Sequence, residues 1–176
     1  MDCQARRDDN GQIVILKDKL PKNWRMLWHW QGWMLVTDEE RKRVEAAGFK
    51  AIKFVPASAR KAMGKPPHEV FWELTSPVTL PHISNLSQLR IQGVNGGVPF
   101  DGDFSKRIVL EDPIFEIPQF RYRRSELKAV GEFDVAFTRE RWMSDNPVMV
   151  VSNRFMRFYD RNKHRLHLTP VFIDEE

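Results

Sequence analysis

Leu35-Val36-Thr37-Asp38-Glu39-Glu40-Arg41-Lys42-Arg43-Val44-Glu45-Ala46-Ala47-Gly48-Phe49-Lys50-Ala51-Ile52-Lys53-Phe54 reads as strand, capped helix, strand. Leu35 and Val36 end an apolar run. Thr37 is a hydroxyl able to accept from the first free helical N–H groups, and Glu40 stands three residues on, where a capping-box partner belongs. Asp38, Glu39 and Glu40 fill the first turn, where the helix dipole favours negative charge. Gly48 suits the left-handed position that ends a helix. Phe49, Ile52 and Phe54 then resume an extended apolar pattern that Pro56 closes.

The same order returns near the other end. Val148-Met149-Val150-Val151 is a strand, Ser152-Asn153 a cap, and Phe155, Phe158 and Tyr159 stand at helical spacing. Leu166, Leu168, Val171 and Ile173 form a closing extended segment. One repetition is too few for a solenoid. It predicts an α+β fold: a mixed, mostly antiparallel sheet with two main helices, in two similar strand–helix–strand modules. Residues 1–10 are polar and read as a flexible N-terminal segment; residues 11–176 read as a single α+β domain.

Outward from these modules, Gln12–Lys17 is a β-branched strand bounded by Gly11 and Pro21. Four of the six tryptophans, Trp24, Trp28, Trp30 and Trp33, follow within ten residues. Trp28 and Trp30 flank His29 as on one face of a strand. Most of these rings are expected in the core, with one or two at a surface where aromatic anchors serve binding. Residues 57–69 read as a basic loop ending in Pro66-Pro67, and Val70–Leu74 as a strand. Pro77 and Pro81 keep Val78–Leu80 extended, as Pro113 and Pro118 do for Ile114–Ile117. Asn95-Gly96-Gly97 and Phe100–Asp103 are turns, and Phe133–Phe137 is a further strand.

Composition narrows the function classes. The chain has 176 residues, 41% of them hydrophobic and 30% charged, which excludes a disordered chain. No apolar run approaches the roughly 20 residues of a membrane span. The first nine residues lack the apolar stretch of a secretory leader. A lone cysteine, Cys3, supplies neither a disulfide framework nor a Cys-rich zinc site. A cytoplasmic protein is expected. The net charge is +4, but acids and bases are interleaved, as where Asp38-Glu39-Glu40 precedes Arg41-Lys42-Arg43.

No catalytic motif emerges. His164 and His167 lie where the pattern turns extended and so point to opposite faces, without an accompanying metal-binding partner. Asp101-Gly102-Asp103 fails as a calcium loop because Lys106 stands where glycine is needed. Asn95-Gly96-Gly97 lacks the Lys-Ser/Thr of a phosphate loop. The expectation is a non-enzyme with no cofactor and no metal.

Two pieces of the chain resemble a family. Val36-Thr37-Asp38 through Ala47-Gly48-Phe49…Phe54, and then Glu111-Asp112-Pro113, Phe133-Asp134-Val135 and Val150-Val151-Ser152-Asn153-Arg154-Phe155, are similar to bacterial polymorphic-toxin immunity proteins. The likeness is to the DUF1629-type and double-CXXCG groups. No CXXCG is present, and Lys163 replaces the glycine that ends the second helix. The resemblance implies a cytoplasmic bacterial toxin inhibitor of interbacterial competition. Such a protein binds a cognate protein toxin and occludes its active site, with no membrane involved. It carries over no functional residue. From their residue types and loop positions, Trp28, Trp30, Asp101, Asp103, Arg121, Arg123 and Arg124 are the candidate partner-binding residues. The alternative, ranked second, is a nucleic-acid-binding module. It uses Phe120-Arg121-Tyr122-Arg123-Arg124 and the basic segment 154–165, with rings stacking on bases and arginines on phosphates.

Overall fold

The computed structural model describes residues 4–17, 20, 23–28, 32–61, 65–84, 120–142, 146–161 and 170–175. The chain is α+β, as its pattern predicts; its described residues form a mainly antiparallel curled sheet and three helices. It divides into two compact units, Met1–Pro77 and Val78–Glu176.

The first unit is built on a six-stranded sheet of order β1-β2-β5-β6-β4-β3. Its strands are β1 (Gln4–Arg7), β2 (Ile13–Leu16), β3 (Met26–Trp28), β4 (Met34–Val36), β5 (Lys53–Arg60) and β6 (Glu69–Thr75). Only β2 and β5 run parallel. Gln4–Arg7, polar in sequence, form an edge strand because a ladder needs backbone partners rather than apolar side chains. β5 runs through Pro56 and into the stretch read as loop. Pro56 pairs with Trp72 on one side, while pairing with β2 on the other begins only at Ser58, so the missing N–H interrupts no described ladder.

Strand alternation sorts the side chains. Ile13, Ile15, Leu35, Ala57, Ala59 and Phe71 share one face and pack together, with Trp24, Leu27 and Trp33 against them. The small Ala57 and Ala59 leave room for the sheet to curl around the Phe71 ring, which meets Trp24 edge-on at 5.4 Å. Trp28, by contrast, is half exposed. The curl brings Arg7 of β1 to Glu73 of β6, three strand spacings or about 14 Å apart in a flat sheet. Two parallel N–H···O bonds of 2.8 and 3.0 Å join them, and the guanidinium lies 5.3 Å from the Trp33 ring centre. Glu73 is buried; without Arg7 it would be a carboxylate stranded in the interior.

On the opposite face lies helix α1 (Asp38–Ala46), contributing buried Val44. Thr37 caps it, its Oγ1 accepting from the Glu40 N–H at 3.3 Å, and Gly48 at φ +64° closes it. The reciprocal half of the capping box is not made. The Thr37 N–H donates to the Arg25 carbonyl, and the buried Glu40 carboxylate takes Arg43 instead.

In the second unit, β7 (Arg121–Arg123) leads directly into α2 (Arg124–Val130) and pairs in parallel with β10 (Phe172–Asp174). β8 (Val135–Trp142) pairs antiparallel with β9 (Asn146–Val151), which leads into α3 (Asn153–Arg161). Val78–Leu80 is extended as expected, Thr79 bridging to Phe137. The register of β8 and β9 slips between Phe137 and Arg141. There buried Thr138 bridges the gap, donating to the Glu140 carbonyl at 2.6 Å and accepting from the Val148 N–H at 2.9 Å.

Ser152 is the α3 cap that the sequence predicts. Its Oγ accepts from the Phe155 N–H at 3.1 Å and donates to Asp134 at 2.5 Å, while Arg154 holds the other oxygen of the same buried carboxylate. Helix α2 has no forecast in the sequence. Its N-cap, Arg123, makes no side-chain cap bond, and the helix is two turns long. Packing holds it: Leu127 and Val130 lie against the cluster of Leu80, Ile83, Phe120, Tyr122 and Ala136.

Replacing Ser152 by Ala removes the α3 cap and one hydrogen bond to a buried carboxylate. A loss of about 1–2 kcal/mol is expected by denaturant unfolding. Glu73→Ala is expected to cost about 1–3 kcal/mol, and adding Arg7→Ala to cost less than it does in the parent chain. Additive effects in that cycle would show the Arg7–Glu73 pair to be idle.

Candidate nucleic-acid interface

The sequence Phe120-Arg121-Tyr122-Arg123 alternates aromatic and basic residues, and a pleated strand separates the two kinds. Phe120 and Tyr122 point inward and are buried. Neither ring can stack on a base, so the stacking role expected of them is corrected here. Arg121 and Arg123 point to the other side. The parallel register sets Phe172 opposite Arg121 and Asp174 opposite Arg123, which places Phe172 and Asp174 on that same outer face. Phe172 is 37% exposed and supplies the accessible ring. Nothing in its local sequence marks it; only the pairing of β10 with β7 brings it beside the arginines.

Arg121 is held in place. Its Nε donates to Asp174 at 2.9 Å, its Nη2 contacts the same carboxylate, and its guanidinium lies 5.4 Å from the Phe172 ring centre. Ser84 adds a longer bond to Asp174 at 3.4 Å, and the Ser84 N–H donates to the Arg121 carbonyl at 2.8 Å. The Arg121 hydrogen bond keeps the Asp174 carboxyl below its ordinary range, and Asp174 in turn raises Arg121. Both stay charged near neutrality. Arg124 is paired with Glu175. Arg123 is exposed, and its charge reaches Asp174. The face therefore offers one ordered Arg–Phe stack and a net positive charge centred on Arg123.

A second cluster lies behind this strand. Glu140 Oε1 accepts from the Ile83 N–H and meets His82 Nδ1, both at 3.1 Å. The Tyr122 hydroxyl is buried without a hydrogen-bond partner among the described residues, as is Glu140 Oε2. Burial first, and the Glu140 charge second, push the Tyr122 phenol well above its ordinary range. A phenol so placed stays protonated, and Glu140 serves to pin the 79–84 segment to β8.

Of the residues singled out for binding, Arg121, Arg123 and Arg124 come together at β7 and the start of α2. Trp28 is exposed at the end of β3, in the first unit. Trp30, Asp101 and Asp103 lie outside the described residues, as does the basic segment beyond residue 161. Within that segment Arg154 is committed to Asp134, while Arg157 is exposed.

Comparison with known proteins gives a partial match. The chain is 38% identical over 61 residues to pre-mRNA-splicing factor Syf2 of Drosophila pseudoobscura pseudoobscura, and equally to that of Drosophila melanogaster. The match takes in 32% of this chain and 27% of the relatives, so it spans about a quarter of their length. No family model and no solved structure matches. These relatives overturn the bacterial immunity-protein resemblance. With it go the toxin-inhibitor role in interbacterial competition, the cognate toxin as partner and the low rank given to nucleic acid. Among the described residues, no helix is long and apolar enough to cross a membrane.

The depressed carboxyl of Asp174 makes an acid-side prediction. Its ion pair contributes stability in full above about pH 5, and loses it as pH falls through the lowered folded value. Asp174→Asn is expected to be less thermally stable than the parent at pH 7. The difference should close as pH falls toward about 2. A gap independent of pH would rule out the pair as its source.

Proposed function

We propose that this chain is a non-catalytic nucleic-acid-binding module that contacts single-stranded RNA through the outer face of β7 and β10. The observation that carries the reading is the juxtaposition of a part-exposed ring, Phe172, with the ordered Arg121 and the exposed Arg123. A base can stack on the ring or on the guanidinium plane, and Arg123 can meet a phosphate. The partial likeness to a pre-mRNA-splicing factor supports RNA as the partner. A non-catalytic role is in keeping with the histidine and carboxylate of the neighbouring cluster being bound into the fold. An intracellular compartment goes with this reading, nuclear if the role follows that of the splicing factors.

The test is fluorescence anisotropy with a labelled 20-residue oligouridine. Micromolar affinity at about 50 mM salt is expected, falling steeply as salt rises. Phe172→Ser and Arg123→Ala should each weaken it several-fold. Absence of binding at that salt, or unchanged affinity in both variants, overturns the proposal.

A further inference from the structure

Strand β10 lays two acids beside the arginines of β7. The parallel register sets Phe172 opposite Arg121, Ile173 opposite Tyr122 and Asp174 opposite Arg123. One residue further along each segment stand Glu175 and Arg124, and these two side chains form an ion pair. The three arginines of the candidate face, Arg121, Arg123 and Arg124, are thus met by two carboxylates from a single neighbouring segment.

The two ion pairs are built differently. The Asp174 side chain is only 14% exposed, and Arg121 grips it through both Nε and Nη2. The Ser84 hydroxyl donates to the same carboxylate at 3.4 Å, and the Phe172 ring lies against the guanidinium. Breaking that pair would strand a carboxylate largely shielded from water. The Arg124–Glu175 pair rests on one contact, from Nη2 to Oε1, between side chains 48% and 73% exposed. Among the described residues it has neither the hydroxyl nor the ring that supports Arg121. Water reaches both groups, so this pair contributes little to stability and exchanges readily.

We propose that Glu175 is an internal competitor of the RNA strand, which holds Arg124 in the unbound protein and yields it to a phosphate on binding. A phosphate makes the same charge-assisted bond to a guanidinium as a carboxylate does, and can take both prongs of its fork. The exchange leaves Arg121 locked to Asp174 beside Phe172, with Arg123 and Arg124 as the phosphate contacts. The released carboxylate turns to water but stays near the strand, where its charge opposes binding until salt screens it. Glu175 therefore lowers the affinity for any anionic strand, while stacking on Phe172 is unaffected. This competition presupposes the RNA-binding reading of the same face, and adds how that face is held back before the strand arrives.

Labelled oligouridine is titrated at about 50 and about 200 mM salt with the parent chain, Glu175→Gln, Arg124→Ala and the double variant. Thermal unfolding checks that these exposed substitutions leave the fold intact, and Glu175→Ser serves as a second neutral variant. Glu175→Gln is expected to bind about five-fold more tightly at the lower salt, with a smaller gain at the higher. Arg124→Ala should cost less than about two-fold in the parent but about five-fold in the Glu175→Gln chain, where no carboxylate competes for the guanidinium. Unchanged affinity in Glu175→Gln overturns the competition. So does a gain as large in the Arg124→Ala background, which would make Glu175 a diffuse charge only. In either case the β7–β10 reading stands if Phe172→Ser and Arg123→Ala still weaken binding. The expected coupling of Glu175 with Arg124, without any effect of those two variants, upholds the competition and overturns the stacking face. If neither the parent nor Glu175→Gln binds the oligonucleotide, both fall.

Discussion

Successive side chains on a pleated strand point to opposite faces, and both units depend on that one constraint. In the first, it places Ile13, Ile15, Ala57, Ala59, Phe71 and Glu73 on one side of the sheet, so a single buried carboxylate shares the apolar face. The curl that encloses Phe71 also delivers Arg7 to Glu73, turning a liability into a tie between strands that are not neighbours. In the second unit the same alternation buries Phe120 and Tyr122, and so compels Arg121 and Arg123 outward. Core and candidate face are two sides of one three-residue strand.

What could be read in the sequence was what short-range physics fixes. Thr37 and Ser152 are small hydroxyl residues placed just before apolar periodic runs, and each caps its helix. The α+β class follows from the strand–cap–helix–strand order at both ends. Less legible were features set by distant partners. Glu40 has the spacing of a capping-box residue, but Arg25 supplies the carbonyl that occupies the Thr37 N–H. Helix α2 has neither cap nor length and exists because Leu127 and Val130 find a hydrophobic cluster assembled from three other segments. The candidate face was half legible. Its arginines stood out, whereas Phe172 gains its place only through a pairing across some fifty residues of chain.

The same distinction explains why the immunity-protein resemblance misled. A hydrophobic strand, a hydroxyl cap, acids in the first turn and a terminal glycine are what any exposed strand–helix unit needs for stability. Such a pattern recurs wherever the physics recurs, in unrelated families. Its match at Val36–Phe54 was therefore evidence of local structure and none of lineage. The likeness to splicing factors is one of residue identity, 38% over 61 residues and about a third of this chain, rather than of local pattern alone.

Charge, too, acquires meaning from place. The whole chain is only +4, a value that excludes little. Yet the stretch from Ala46 to His68 alone contains Lys50, Lys53, Arg60, Lys61 and Lys65 with no acid, one charge more than that total. The rest of the molecule is thus net acidic by one charge, and among the described residues seven arginines stand in ion pairs with carboxylates. A polyanion meeting such a surface gains little from matched pairs, since each cation already has a counterion held at bonding distance. The modest net charge therefore hides an uneven distribution of charge along the chain, which the total alone does not disclose.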